Sequence, residues 1–296
     1  MENWKILSYL RGLVELKIYR VFYFLIFLYP FYEPFKFIII FIFLDVLYEI
    51  LEKNSNKHSS RISTSALVYH PFLYWQSLCQ MWGMLYRSFI ASPQSYKDIA
   101  AAAKSEGITF KLPFEGKWYV YNGGIKKEDS HSWNIYNQRY AYDFVMIDEE
   151  SKSYCSSAQD IEDYYCYGKK VLCPADGTII HKKDGLIDYD QPGKINFWTK
   201  DFRGNFLIIE HSKKHYSFLA HFKKASITVN IGDIVKEGQT LGLCGNSGHS
   251  TEPHIHFHVQ DHPNFYLGLG LPIPFFITDD AERQFISKGE FITAQH

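Results

Sequence analysis

The run Pro253-His254-Ile255-His256-Phe257-His258 stands just after a small, glycine-bearing stretch, Cys244-Gly245-Asn246-Ser247-Gly248. Side chains at i, i+2 and i+4 of a strand share one face, so His254, His256 and His258 form a row. Neutral imidazole is the commonest metal ligand. Two imidazoles on rigid β-structure can hold Zn²⁺ at about 2.0–2.1 Å from nitrogen. The plainer alternative is a polar strand face whose histidines only hydrogen-bond.

Two upstream elements must bring partners to that row. Gln138 to Ile147 is an aromatic and β-branched run that reads as a strand, with Asp143 set between Tyr142 and Phe144. A carboxylate is costly to bury there unless it is paired or bound to a cation. Gly204 to His211 and His215 to His221 read as two strands joined by the polar turn Ser212-Lys213-Lys214. They deliver His221 to the end of an apolar strand. His211 and His215 flank the turn and read as solvated, while His249 and His262 border the histidine strand.

An Asp on an early strand, a Phe218-Leu219-Ala220-His221 strand, and Gly245-Asn246-Ser247-Gly248-His249-Ser250 leading to Pro253-His254-Ile255-His256-Phe257 together resemble the lysostaphin-type (LytM-like, β-lytic) zinc metallopeptidases. The similarity runs from about Asn122 to Asp261. It includes Val171 to Ile180, like the family's Pro-x-x-Gly-x-Val strand, and Ile231 to Gly242, like its Gly-Asp-x-Val-x-x-Gly-Gln turn. The resemblance implies a mainly β catalytic domain of the duplicated hybrid motif kind, an antiparallel, hammerhead or barrel-like sheet. It also implies a peptidase of bacterial cell-wall peptides with one Zn²⁺ per chain.

Carried over residue by residue, the resemblance makes Asp143 and His256 metal ligands and His254 and His221 the catalytic pair. The family's remaining ligand is a His four residues before the Asp, and Arg139 stands there instead. A guanidinium offers no lone pair. The nearest upstream imidazole is His131, twelve positions before Asp143, and a loop can return it as the third ligand. Should it not, His258 is on the same strand face. Three protein ligands with an open fourth position mark a catalytic rather than a structural zinc. Such a zinc acidifies its water and polarises the scissile carbonyl, with His254 and His221 moving the proton and stabilising the oxyanion. The chain has no His-Glu-x-x-His motif.

The chain's 296 residues, 46% of them hydrophobic, suffice for a full core and a second segment. A net charge of −1 gives no basic field for nucleic acid, so none is expected as a partner. The sequence divides into 1–65, a hydrophobic, aromatic-rich helical segment; 66–110, a helical connector; 111–275, the metallopeptidase domain; and 276–296, a C-terminal tail. Val21 to Tyr32 is uncharged and Phe37 to Leu44 apolar, separated by a Pro30 to Pro34 break, with Lys5, Arg11, Lys17 and Arg20 ahead of both. Residues 18–51 are therefore the expected membrane contact, with residues 68–92 as a further apolar helix that could cross. The expected placement is a membrane-anchored protein with its catalytic domain periplasmic or extracellular, acting on peptidoglycan peptides or another peptide substrate.

Five cysteines follow no framework, although Cys155 and Cys166 bracket an acidic, tyrosine-rich insertion that a disulfide could staple. The Gly232 to Gly242 hairpin also suits a biotinyl or lipoyl carrier, but no turn supplies the exposed carrier lysine. The more serious alternative is a metal-free or degenerate relative acting as a binding or activator module of wall remodelling, and Arg139 is the residue that favours it.

Overall fold

The computed structural model describes residues 71–90, 110–276 and 284–294. The chain divides into two compact units, Met1–Tyr69 and His70–His296, and the described residues all lie in the second. Helix α1 (Pro71–Ile90) precedes strands β1 (Phe110–Lys111), β2 (Gly116–Asn122), β3 (Tyr142–Val145), β4 (Lys170–Leu172) and β5 (Gly177–Lys183). There follow β6 (Phe206–Ser212), β7 (His215–Ala220), β8 (Ile234–Val235), β9 (Thr240–Leu243) and β10 (Ile255–Gln260). The last three are β11 (Gly270–Leu271), β12 (Phe275–Phe276) and β13 (Phe291–Ala294).

Nine of these strands form one sheet in the order β13-β2-β3-β10-β7-β6-β5-β8, with β11 also on β10. Every pairing in it is antiparallel. The mainly β, antiparallel architecture expected from the sequence is the one the domain has. Period-two alternation explains why the strands lie as they do. On β10, Ile255, Phe257 and Val259 enter a core that also takes Phe144, Leu207, Ile209 and Leu219. The intervening positions of β6 and β7, Phe206, Ile208, Phe218 and Ala220, form a second apolar cluster with Phe265 on the opposite face. Phe257 has no exposed surface, and burying one such ring contributes about 1.5–3 kcal/mol. Within the 276–296 segment, Phe291–Ala294 extends the sheet by pairing with β2.

α1 docks on the sheet through polar and close contacts. Gln80 donates to Asn137 Oδ1 at 3.2 Å, Gln76 Oε1 accepts from the Phe202 N–H at 3.1 Å, and Arg87 pairs with Asp261. A side chain at Gly83 would place its Cβ 1.9 Å from the Tyr266 carbonyl oxygen, so the helix can approach only with glycine there. Among the described residues no helix is long and apolar enough to cross a membrane. That overturns the expected membrane-anchored placement and the crossing read into residues 68–92. Gln76, Gln80 and Arg87 are the reason, because they spend that helix's length on protein contacts. The apolar runs within 18–51 lie outside the described residues.

All five cysteines are free, Cys155 exposed and Cys166 buried, so the insertion carries no staple. Cys166 instead donates its thiol to the Pro253 carbonyl at 2.9 Å, just before the histidine strand.

His211 is not solvated, contrary to the sequence reading. Its ring nitrogens lie 2.8 Å from the Asp176 carbonyl and 2.7 Å from Ser217 Oγ, and its edge packs on Phe110 at 5.1 Å. Burial pushes its pKa down to about 4. A histidine near 6.5 when unfolded and near 4 when folded supports the fold fully above pH 6.5 and progressively less as pH falls towards 4. Partial exposure screens the effect to roughly 1 kcal/mol at pH 5. Urea midpoints at pH 7.5 and pH 5 are expected to differ less in His211→Gln than in the parent, and an equal difference in both proteins would refute this assignment.

Candidate active site

Strand register builds the site. His256 on β10 lies opposite Asp143 on β3 and, across its other edge, opposite Ala220 on β7. The three central strands therefore present Asp143, His256 and the end of β7 at one level, and the next residue after β7 is His221. Asn122, at the end of β2, pairs in register with Asp143 and donates to its Oδ2 at 3.1 Å.

Asp143 is the hub. It is only 6% exposed, and its Oδ1 lies 2.9 Å from His256 Nδ1 and 3.6 Å from His254 Nε2. His131 Nδ1 is 3.2 Å from its Oδ2. The returning loop therefore brings His131 beside the carboxylate across twelve residues of sequence. Burial works against the Asp143 anion, but His131 and a hydrogen bond from His256, helped by His254, hold its carboxyl well below the usual carboxylate range. His131 has 40% of its side chain exposed, yet the edge facing Asp143 is crowded. Its pKa is lowered by that partial burial, against the pull of Asp143 and with repulsion from His256 and His254. Arg139 faces elsewhere: Nε donates to the Trp133 carbonyl at 3.0 Å, and the guanidinium stacks 5.3 Å from the Trp133 and Tyr136 ring centres.

Two further imidazoles are aimed by backbone carbonyls. His221 Nδ1 lies 2.7 Å from the Ser247 carbonyl, and His254 Nδ1 lies 2.8 Å from the Glu252 carbonyl and 3.1 Å from Ser250 Oγ. A carbonyl only accepts, so each Nδ1 bears the proton and each Nε2 keeps a lone pair. Their rings are 4.7 Å apart, and His221, His254 and His256 each offer a nitrogen within 4.8 Å of the others. Burial, with repulsion from His254 and His256, drives the His221 pKa well below the ordinary histidine value, so it stands neutral.

His221 is also strained, with φ +64°. A left-handed backbone at a non-glycine residue costs on the order of 1 kcal/mol and persists only where surroundings enforce it. Here the Gly245 N–H donates to the His221 carbonyl at 3.0 Å while Ser247 holds the ring. The Ser247 loop is set in turn by Gly204 and Gly248. At Gly204 (φ +71°) a Cβ would lie 2.3 Å from the Ser247 carbonyl oxygen. Asp188 pins the same turn by accepting from the N–H groups of Asn246 (2.7 Å) and Lys224 (2.9 Å). The cleft over these residues holds about 360 Å³, with Tyr121, Phe202, Arg203, Thr251 and Glu252 on its walls and His249 bordering it.

His258 does not serve as a reserve ligand. It has no exposed surface, its Nδ1 is 3.1 Å from His256 Nε2, and its Nε2 is 3.1 Å from Gln260 Oε1. It stacks 4.9 Å from the Phe218 ring centre, and burial pushes its pKa down to about 3. The positioning roles of Asn122, Asp188 and Ser247 escaped sequence reading, although Ser247 lies in the glycine-bearing stretch noted there. Only the alternating strand ending at Asn122 carried a signal, since the other two act through loop geometry.

The residues present fit a metal ion: His221, His254 and His256 offer nitrogens within reach of one another, and the buried Asp143 carboxylate beside them would be stabilised by a cation. Residues 158–265 match the sequence profile of peptidase family M23, a span containing His221, His254 and His256. The peptidoglycan DD-endopeptidase ShyA of Vibrio cholerae is 28% identical over 189 residues, 62% of this chain and 40% of that protein. Lysostaphin of Staphylococcus staphylolyticus is 39% identical over 113 residues, 34% of this chain and 23% of that protein. The chain thus spans less than half the length of these curated relatives. A solved structure of the catalytic domain of EnpA, a prophage-encoded M23 protein from Enterococcus faecalis, covers 58% of this chain and 94% of its own, with 18% identity and a TM-score of 0.31. The span 158–265, which carries these histidines, is thus an M23 peptidase domain by its sequence match, in line with the lysostaphin-type resemblance read from the motifs.

Proposed function

We propose that the chain is a zinc endopeptidase that cuts peptide cross-links of bacterial peptidoglycan. The carrying observation is the grouping of His131, His256 and His254 around the buried Asp143, with His221 beside His254. The names of the relatives support the substrate class, since ShyA is a peptidoglycan DD-endopeptidase.

Asp143, His256 and His131 are assigned as the residues that hold the metal. A cation is best placed against the carboxylate, and His256 and His131 are the imidazoles nearest its oxygens, at 2.9 and 3.2 Å. Bound there, zinc would supply Lewis acidity, polarising an amide carbonyl and making a water acidic enough to attack near neutral pH. His221 and His254 then keep their Nε2 lone pairs for proton transfer. Neutral His221 is ready to accept a proton from the attacking water. His254 lies nearer the cleft mouth, where it can hold the substrate carbonyl or return a proton to the departing amine. Their Nδ1 anchors keep both rings aimed while charge moves, so little reorganisation is needed. Phe202, Tyr121 and Arg203 line the walls against which a peptide would lie.

His256→Ala is expected to abolish both stoichiometric zinc and turnover, read by metal analysis and by mass spectrometry of fragments released from purified sacculi. His254→Ala should keep zinc but lose turnover by roughly 10²-fold or more, the scale of an acid–base group. His131→Ala should weaken zinc by at least about tenfold, and full zinc occupancy in that variant would remove His131 from the ligand set. His221→Asn tests the strained position: asparagine accepts a left-handed backbone, so melting temperature should hold within a few degrees while turnover falls about 10²-fold. A zinc-loaded parent that releases nothing from sacculi of several bridge types would favour a binding module instead, the reading that Arg139 at the usual ligand position supports.

A further inference from the structure

The metal assignment leaves two buried polar residues on β10 unexplained, His258 and Gln260. Neither lines the cleft, and both have no exposed surface. They continue the same strand face as His256, so the three side chains form a line running away from Asp143: His256 Nε2 to His258 Nδ1 at 3.1 Å, and His258 Nε2 to Gln260 Oε1 at 3.1 Å. The line ends where Gln260 Nε2 donates to the His262 carbonyl at 2.6 Å.

That last bond fixes the direction of all the others. A backbone carbonyl can only accept, so the Gln260 amide nitrogen must face His262 and its oxygen must face His258. The oxygen in turn can only accept, so His258 carries its proton on Nε2. A ring with no exposed surface, stacked on Phe218 at 4.9 Å and against Phe265 at 6.0 Å, is neutral. Its Nδ1 is therefore a lone pair, and the nitrogen facing it, His256 Nε2, must be the donor. With its Nε2 committed to His258, His256 turns Nδ1 towards Asp143 Oδ1 at 2.9 Å, the side on which a cation held by that carboxylate would lie.

We propose that His258 and Gln260 are positioning residues that set the tautomer of His256, so that its Nδ1 presents a lone pair rather than an N–H to the metal beside Asp143. The inference rests on the zinc assignment for His256 and Asp143 and adds the reason that this imidazole is committed to its ligand form. Outer partners of this sort typically change metal affinity by 10- to 100-fold. The polar pair also has a structural logic. Two fully buried polar side chains in an aromatic cluster are retained at a cost unless every group is satisfied, and here the chain of acceptors and donors closes without a gap.

Two measurements on the full chain test it. The first is zinc affinity by competition with a chromophoric chelator, for the parent, His258→Phe and His258→Asn, with circular dichroism confirming the fold. Phenylalanine keeps the ring between Phe218 and Phe265 but offers no acceptor, and is expected to weaken zinc 10- to 100-fold. Asparagine packs worse but places an oxygen near the old Nδ1, and should hold affinity within about threefold. A role in packing alone predicts the reverse order, and that order, or a folded His258→Phe with parental affinity, would overturn the proposal. The second is ¹⁵N NMR of the metal-free parent, where His256 Nε2 is expected to carry a proton shared with His258. An unprotonated Nε2 overturns the proposal even if no variant folds. Should the parent bind no zinc at all, the proposed function fails while the NMR result still decides the relay.

Discussion

The site depends on one constraint, the register of β3, β10 and β7. His256 is level with Asp143 on one side and Ala220 on the other, and a slip of one residue would turn every imidazole of β10 to the opposite face. The apolar half of the same alternation forbids that slip. Ile255, Phe257 and Val259 are almost fully buried, and exchanging them with His256, His258 and Gln260 would put three polar groups into the main core while pushing three large apolar side chains into a polar row. Leaving polar groups unpaired in the main core costs about 1–3 kcal/mol each, so the apolar pattern holds the register more firmly than the site could hold itself. The chemistry is carried on the back of a hydrophobic pattern.

What the strands hold and what the loops hold differ in kind. Asp143 and His256 stand on paired strands, where backbone hydrogen bonds on both sides limit motion. His221 and His254 stand one residue beyond and one residue before a strand, and each is aimed by a carbonyl, from Ser247 and Glu252 respectively. The loop supplying these carbonyls is held in place by close glycine packing at Gly204 and Gly248, by Asp188, and by the Cys166 thiol on the Pro253 carbonyl. The strain at His221 is the visible cost of ending β7 in a turn that points its imidazole back over the sheet. In the proposed reading, Asp143 and His256 gain rigidity from their strands, while His221 and His254 on braced loops keep room to respond to substrate.

The alternating strands were legible because period two is a local signal: Asp143, the β6–β7 hairpin and the histidine row could all be placed from the sequence. The antiparallel, mainly β class was what the resemblance of the motifs implied, and the domain has it. His211 was read as solvated because a turn lies beside it in sequence, whereas its neighbours, Asp176, Ser217 and Phe110, come from far along the chain. Asp188 and Gly204 escaped notice for the same reason. A carboxylate that accepts two backbone N–H groups, or a glycine that clears a carbonyl, leaves no periodicity to find. The apolar helix at 71–90 looked able to enter a membrane because its mean character is apolar. Its gaps of Gln76, Gln80 and Arg87 match polar groups on the sheet, and only the fold reveals that match.

In the proposed metal site Arg139 stands at the usual ligand position and His131 takes its place. Position 139 lies in the turn that leads into β3, which begins at Tyr142, so a ligand there would be close to Asp143 in the chain. His131 instead reaches Asp143 from a loop of short helical turns, with 40% of its side chain in solvent. Arg139 has a compensating role there, because its guanidinium stacks on Trp133 and Tyr136 and bonds the Trp133 carbonyl, tying together the loop that carries His131. The loop is thus ordered by cation–π packing rather than by strand pairing, interactions worth about 0.5–2 kcal/mol each. The metal site is therefore expected to be firm on its β10 side and compliant on its His131 side. That asymmetry gives the proposed role of His258 and Gln260 its weight: with His131 loosely held, affinity would rest on how well the β10 imidazole is positioned.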